Sequence, residues 1–259
     1  MSESKIPEEL LQVIKEKENF VLFTHVHPDG DALGSLLGLA DILKNMGKRV
    51  LPYLEEPVSH LYNFLPDCTK VCCSMEEMRH FLGEAGPDIA AIALDSGEAE
   101  RLGEDRQRML QIHPFVVIDH HLSHKNYGDI RWVEPGRSST GEMVYELCEA
   151  LGSTPTYKCA FDLYVAIATD TGSFRYECTG ARTLEIAGKL IGLGVRPEKI
   201  ASYIYDNYSY QRLKLMEMVI GTLDLCEDEQ VAFIHVTREM FERSGAKPQD
   251  VEGFVDYPR

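Results

Sequence analysis

The chain has 259 residues, a formal charge of −16, 44% hydrophobic and 26% charged residues, which suits a soluble globular protein with room for one large domain and part of a second. No apolar run approaches the ~18 residues that span a membrane, and the N-terminal stretch before Phe20 is polar, without the apolar core of a secretion signal. The acidic balance excludes a long electrostatic track for duplex nucleic acid but not a small phosphorylated ligand, because a local cluster of divalent cations inverts the field at one site.

In chain order, residues 7–18 are expected to form an opening helix and Phe20–Thr24 (FVLFT) a buried strand. A helix over 31–46 follows, ending at Gly47, then a strand over 49–53. Residues 74–82 and 139–151 are helices that open with Ser74/Glu77 and Ser139/Glu142 in capping-box spacing. Between them lie two apolar strands, Ile89–Leu94 (IAAIAL) and Phe115–Ile118 (FVVI), and after them an apolar helix over 157–169 and further helices near 182–193 and 197–205. Short continuous apolar strands alternating with helices predict an α/β fold, a doubly wound and mainly parallel sheet with helices on both faces. The character changes near residue 207. A helix near 211–223 reads as a linker and 230–237 (QVAFIHVT) as a strand-like run, so the expected organisation is a catalytic domain over 1–195, a helical linker over 196–223 and the beginning of an incomplete second domain over 224–259. The seven cysteines are odd in number and form no C-x-x-C, which indicates reduced thiols and a cytoplasmic protein.

In a doubly wound sheet, ligands bind beyond the carboxyl ends of the strands, and the chemistry-bearing residues of this chain stand there. His25, His27, Asp29 and Asp31 follow FVLFT, Asp95 follows IAAIAL, Asp119, His120, His121 and His124 follow FVVI, and Asp170 ends the apolar helix. One such acid is more simply a helix cap or a turn residue. Several converging on one site would repel each other and raise their pKa values, a conflict that divalent ions remove. Mixed His and Asp donors suit Mn²⁺, Fe²⁺ or Zn²⁺, and no cysteine is placed to join them. His60, His80, His113 and His235 lack such company and are read as structural, as is the single tryptophan, Trp132.

Four ordered motifs, His25-x-x-Pro28-Asp29-Gly30-Asp31, Asp95-Ser96-Gly97, Asp119-His120-His121 and Asp170-Thr171-Gly172, span about residues 20–180 and resemble those of the DHH phosphoesterases, in particular the bacterial nanoRNase and pAp-phosphatase branch. The resemblance implies a hydrolase acting by metal-activated water on short oligoribonucleotides and 3′-phosphoadenosine 5′-phosphate (pAp), with cyclic-dinucleotide hydrolysis, or nucleotide binding without turnover, as alternatives. It implies two divalent ions, Mn²⁺ first and Mg²⁺, Co²⁺ or Fe²⁺ next, one held by His25, Asp29 and Asp95 and the other by Asp31, Asp95, His120 and Asp170. Asp95, His120 and His121 would be catalytic, with His27 and Asp119 supporting the ligands from behind. His124, Ser139, Thr140 and Arg175 are the candidate substrate contacts, the two hydroxyl residues because they open a helix, whose free N–H groups attract phosphate. A homodimer is implied, without membrane or long-duplex partners. The branch carries a glycine-rich GGGH-like motif in a C-terminal substrate domain. This sequence has none, so its tail is expected to be the early part of that domain.

Overall fold

In the computed structural model, residues 6–206 and 208–258 are described; the first five positions of the polar N-terminal stretch, position 207 near the change of character and Arg259 lie outside them. The chain divides into two compact units, Met1–Arg196 and Pro197–Arg259.

The first unit opens with helix α1 (Glu8–Glu16), which buries Leu10 and Ile14. Its sheet comprises β1 (Asn19–Phe23), β2 (Arg49–Pro52), β3 (Ile89–Leu94), β4 (Phe115–Asp119) and β5 (Ile130–Val133), in the order β2-β1-β3-β4-β5. All four pairings are parallel. β1, β3 and β4 are buried at every residue, as strands covered on both faces must be. Alternate side chains divide between the faces. Val21, Phe23, Ala91, Ala93, Phe115 and Val117 pack with Met78 and Ala85 of α3 (Met75–Ala85) and Met109 of α4 (Arg106–Met109). The opposite face carries α2 (Gly30–Asn45) and α5 (Thr140–Ala150); α6 (Tyr157–Asp170) packs on these two helices, and α7 (Ala181–Gly192) against α5 and α6.

The caps expected from spacing form as hydrogen bonds. Ser74 accepts from Glu77 N–H (3.2 Å) and Ser139 from Glu142 N–H (3.0 Å). Two elements escape the sequence pattern. β5 is four residues long with only Trp132 fully buried, so it lacks the apolar run that marks its neighbours, and α4 is a single turn.

Helices α2 and α6 run antiparallel at close range. A side chain at Gly34 would collide with the Asp162 carbonyl and with Ala166, one at Gly38 with Leu163, and one at Gly30 with Thr169. Glycine every four residues places three bare backbone positions on one face of α2. That closeness brings the first turn of α2, which holds Asp31, beside the last turn of α6, which holds Asp170.

The second unit contains α8 (Pro197–Ala201), a π-helical turn (Ser202–Asp206), α9 (Tyr210–Ile220), an antiparallel pair β6 (Asp224–Cys226) and β7 (Val231–Phe233), and α10 (Arg238–Ser244). Leu215, Val219 and Phe254 form its small buried cluster, with Met240, Phe241 and Val251 packed around them. The strand expected over 230–237 is shorter, and its pairing strand β6 was not anticipated. No helix among the described residues is long and apolar enough to cross a membrane.

Candidate metal centre

In the order β2-β1-β3-β4-β5 the chain turns from one side of β1 to the other, so β1 and β3 flank the switch point of the sheet. Their carboxyl ends carry His25 and Asp95, and the end of neighbouring β4 carries Asp119, His120 and His121. Topology alone thus gathers three of the four motifs. The fourth arrives on α6, along the glycine-lined face of α2.

Asp95 stands at the centre. It is 2% exposed and holds a left-handed backbone (φ 55°), a conformation that costs a non-glycine residue ~1–2 kcal/mol and needs surroundings that enforce it. Its N–H continues the ladder to Ile118 (3.0 Å), and its Oδ1 accepts from the Thr140 hydroxyl (3.0 Å). Nε2 of His25 lies 3.7 Å from its Oδ2, and Nε2 of His120 lies 3.5 Å from its Oδ1. Asp29, the N-cap of α2, accepts from Ala32 N–H (3.0 Å). Asp31, 1% exposed, accepts from the backbone N–H groups of Thr140 (2.7 Å) and Gly141 (2.9 Å) and from the Ser35 hydroxyl (3.1 Å). The N-terminus of α5 therefore spends its free donors on this carboxylate. His120 anchors Nδ1 on the Arg137 carbonyl (3.2 Å) and presents Nε2 to Asp170, Asp95 and Asp31 at 3.3, 3.5 and 3.7 Å.

Asp119 is fully buried. It accepts from Nδ1 of His121 (2.7 Å) and Nδ1 of His124 (2.6 Å), one on each oxygen. The His124 ring also stacks on Tyr127, whose hydroxyl donates to the Ser96 carbonyl.

The electrostatics show unreconciled negative charge. Burial, reinforced by the neighbouring carboxylates, drives Asp31 well above the ordinary range and raises Asp29. Burial lifts Asp170 to about 6 against the pull of His120. Asp95 goes the other way: burial opposes its ionisation, but the neighbouring imidazole of His25 and the charges of His120 and His121 hold it low. The hydrogen bond to Asp119 raises His121 to about 9. Among the described residues no lysine or arginine lies within ion-pair distance of Asp29, Asp31, Asp95 or Asp170; their ionic neighbours are histidines. The donor atoms fall into three triads, His25/Asp29/Asp95, Asp31/His120/Asp170 and Asp95/His120/His121, each with its atoms within 4.8 Å of one another. Buried carboxylates facing imidazole nitrogens, with no fixed cation among them, are the donor set of a divalent metal centre, and overlapping triads allow two ions to share Asp95.

The other expected contacts lie around this cluster. His27, with a left-handed backbone (φ 52°), is turned outward, 77% exposed and 3.5 Å from Glu56, so it supports none of the ligands. Ser139 and Thr140 are fully buried. Their hydroxyls cap α5 and bind Asp95, which leaves no donor facing open substrate space. His124 is tied to Asp119 with its side chain only 5% exposed, and Arg175 directs Nε to the Gly172 carbonyl (2.6 Å). Sequence reasoning missed Arg101, whose guanidinium meets Nδ1 of His25 (2.9 Å); it lies outside every motif, and only the turn after β3 carries it back to β1.

The sequence model of the DHH family, N-terminal domain, matches residues 19–169. The chain is similar to a bifunctional oligoribonuclease and PAP phosphatase NrnA of Thermus thermophilus, 33% identical over 94% of this chain and 70% of that protein. It is 29% identical to the Bacillus subtilis protein of the same name, over 95% of this chain and 75% of that one. A crystal structure of an exopolyphosphatase-related protein from Bacteroides fragilis superposes with a TM-score of 0.89 at 27% identity, covering 97% of this chain and 75% of that one.

Proposed function

The chain belongs to the DHH family, and from that premise we propose that it is a metal-dependent phosphoesterase that hydrolyses short oligoribonucleotides and pAp. The observation that carries the reading is the set of three overlapping His–Asp triads at the switch point of the sheet, two of which contain the buried carboxylate of Asp95. The relatives' names, oligoribonuclease and PAP phosphatase, support the substrate class.

In this reading His25, Asp29 and Asp95 would hold one divalent ion and Asp31, Asp95, His120 and Asp170 the other, with Mn²⁺ the first candidate. Bound there, the ions lower the pKa of a coordinated water and offset the charge that gathers on the phosphoryl group. The protein's own groups do the rest. Thr140 and the α5 N-terminus fix the carboxylates of Asp95 and Asp31, so the donors are oriented before any ligand arrives. Asp119 accepts from Nδ1 of His121 and from Nδ1 of His124, which orients both rings. His121, whose pKa the hydrogen bond to Asp119 raises, would donate a hydrogen bond to a phosphate oxygen. Residues 1–195 carry the catalysis, 196–223 link, and 224–259 contribute to substrate recognition.

The test is hydrolysis of the linear dinucleotide pApA, with pAp, cyclic di-AMP and pyrophosphate alongside, under Mn²⁺ and under chelator. Release of AMP from pApA and of phosphate from pAp is expected, with a loss of at least about a thousandfold in Asp95→Asn, which removes the shared ligand's charge. Preferential turnover of cyclic di-AMP would move the substrate to cyclic dinucleotides. Stoichiometric metal with no turnover of any phosphoester would contradict the assignment.

A further inference from the structure

Arg101 lies in the short 3-10 turn Ala99–Leu102 that follows β3, and its side chain is partly buried. Its guanidinium is 2.9 Å from Nδ1 of His25, and the same Nδ1 is 2.9 Å from the Val26 carbonyl. The two contacts exclude each other. A guanidinium only donates and a carbonyl only accepts, so Nδ1 must be bare for one and protonated for the other. With the proton on Nε2, toward Asp95 at 3.7 Å, Nδ1 accepts from Arg101. Coordination of a cation through Nε2 requires the lone pair there, which moves the proton to Nδ1 and gives it to Val26.

Arg101 then loses its side-chain partner. Elsewhere in this acidic chain Arg49, Arg137 and Arg182 are matched with glutamates. Arg101 makes no ion pair among the described residues, although its charge is felt at Asp29, whose carboxyl it draws down against the effect of burial. What remains is a partly desolvated donor fork beside a centre built to receive an anion, and phosphate oxygens are the acceptors that such a fork matches.

We propose that Arg101 binds a phosphate group of the substrate, and that metal loading, by turning Nδ1 of His25 to Val26, releases it to do so. The proposal rests on the phosphoesterase reading above. It makes metal and phosphate binding cooperative through one imidazole tautomer, and it makes Arg101 a competitor of the metal when phosphate is absent.

The experiment is calorimetric titration of the whole chain, first with Mn²⁺ and then, at saturating Mn²⁺, with AMP, for the parent, Arg101→Gln and Arg101→Lys. Arg101→Gln is expected to weaken AMP binding at least about tenfold, as loss of a charged hydrogen-bond donor does, while Mn²⁺ affinity stays equal or tightens. Arg101→Lys is expected to fall between, because a lysine keeps the charge without the fork. Equal AMP affinity in parent and variants overturns the proposal alone. Weaker Mn²⁺ binding with unchanged AMP affinity also overturns it, since Arg101 would then only support His25. A parent that takes up Mn²⁺ but binds no AMP overturns the phosphoesterase reading itself. Should Arg101→Gln fail to fold, Arg101→Lys decides by the same two comparisons.

Discussion

At the scale of single residues, the candidate metal centre is a set of carboxylates whose ionisation burial opposes. Asp29, Asp31 and Asp170 are all raised by burial and by the charge of Asp95, Asp170 to about 6, and His121 is raised to about 9 by Asp119. Each of these groups keeps a proton in the folded chain that the unfolded chain has already released. Stability is therefore fully present below the unfolded pKa and lost as pH rises through the folded one. For the acids that loss starts near pH 4, and for His121 it runs from about 6.5 to 9. Asp95 and Asp119 are lowered and act in the opposite sense, but only below about pH 4. The metal-free protein should lose about 5 °C or more of Tm between pH 5 and pH 9. Mn²⁺ competes with the same protons, so its stabilisation should grow over that range. Calorimetric scans with chelator and with Mn²⁺ at pH 5, 7 and 9 measure both, and a metal-free Tm that is flat or rising contradicts the electrostatics described here.

The clustering of His and Asp at one site was legible because these residues are adjacent in sequence at strand ends, where a parallel sheet has few other uses for them. Hydroxyl direction was not legible. Ser139 and Thr140 open a helix beside the site, and nothing in their spacing says that both turn inward, to the cap and to Asp95. Nor could spacing show that His27, two residues from His25, is turned to solvent by a left-handed backbone.

At the scale of elements, the close contact of α2 with α6 decides whether Asp31 and Asp170 both reach Nε2 of His120. Gly34 is its tightest point, since an added Cβ would meet both backbone and the Ala166 methyl. Gly34→Ala should force the helices apart, destabilise the fold by about 1–3 kcal/mol as overpacking does, and weaken Mn²⁺ binding. Gly83, exposed in α3 with nothing within 4 Å of an added Cβ, is the control. Gly83→Ala should stabilise by about 0.5–1 kcal/mol and leave metal affinity unchanged. Thermal denaturation and Mn²⁺ titration of both variants check this, and a Gly34→Ala protein as stable and as tight for metal as the parent would contradict it. The strongly apolar strands were readable from sequence, whereas β5 was not: its IRWV run buries one residue fully and borrows its order from pairing with β4.

At the scale of the molecule, the chain carries a formal charge of −16, and the fold gathers several of its aspartates with His25, His120 and His121 at one switch point. Small substrates tolerate such a field better than long strands do. The two-unit division and the family match agree in placing the centre inside the first unit, since every ligand from His25 to Asp170 precedes Arg196. The central claim is that two ions share Asp95, and the measurement that reaches it most directly is anomalous diffraction at the manganese edge from crystals grown with Mn²⁺. Two peaks about 3.5–4 Å apart, one among His25, Asp29 and Asp95 and the other among Asp31, His120 and Asp170, are the predicted result. A single peak, or density away from Asp95, would contradict the two-metal account.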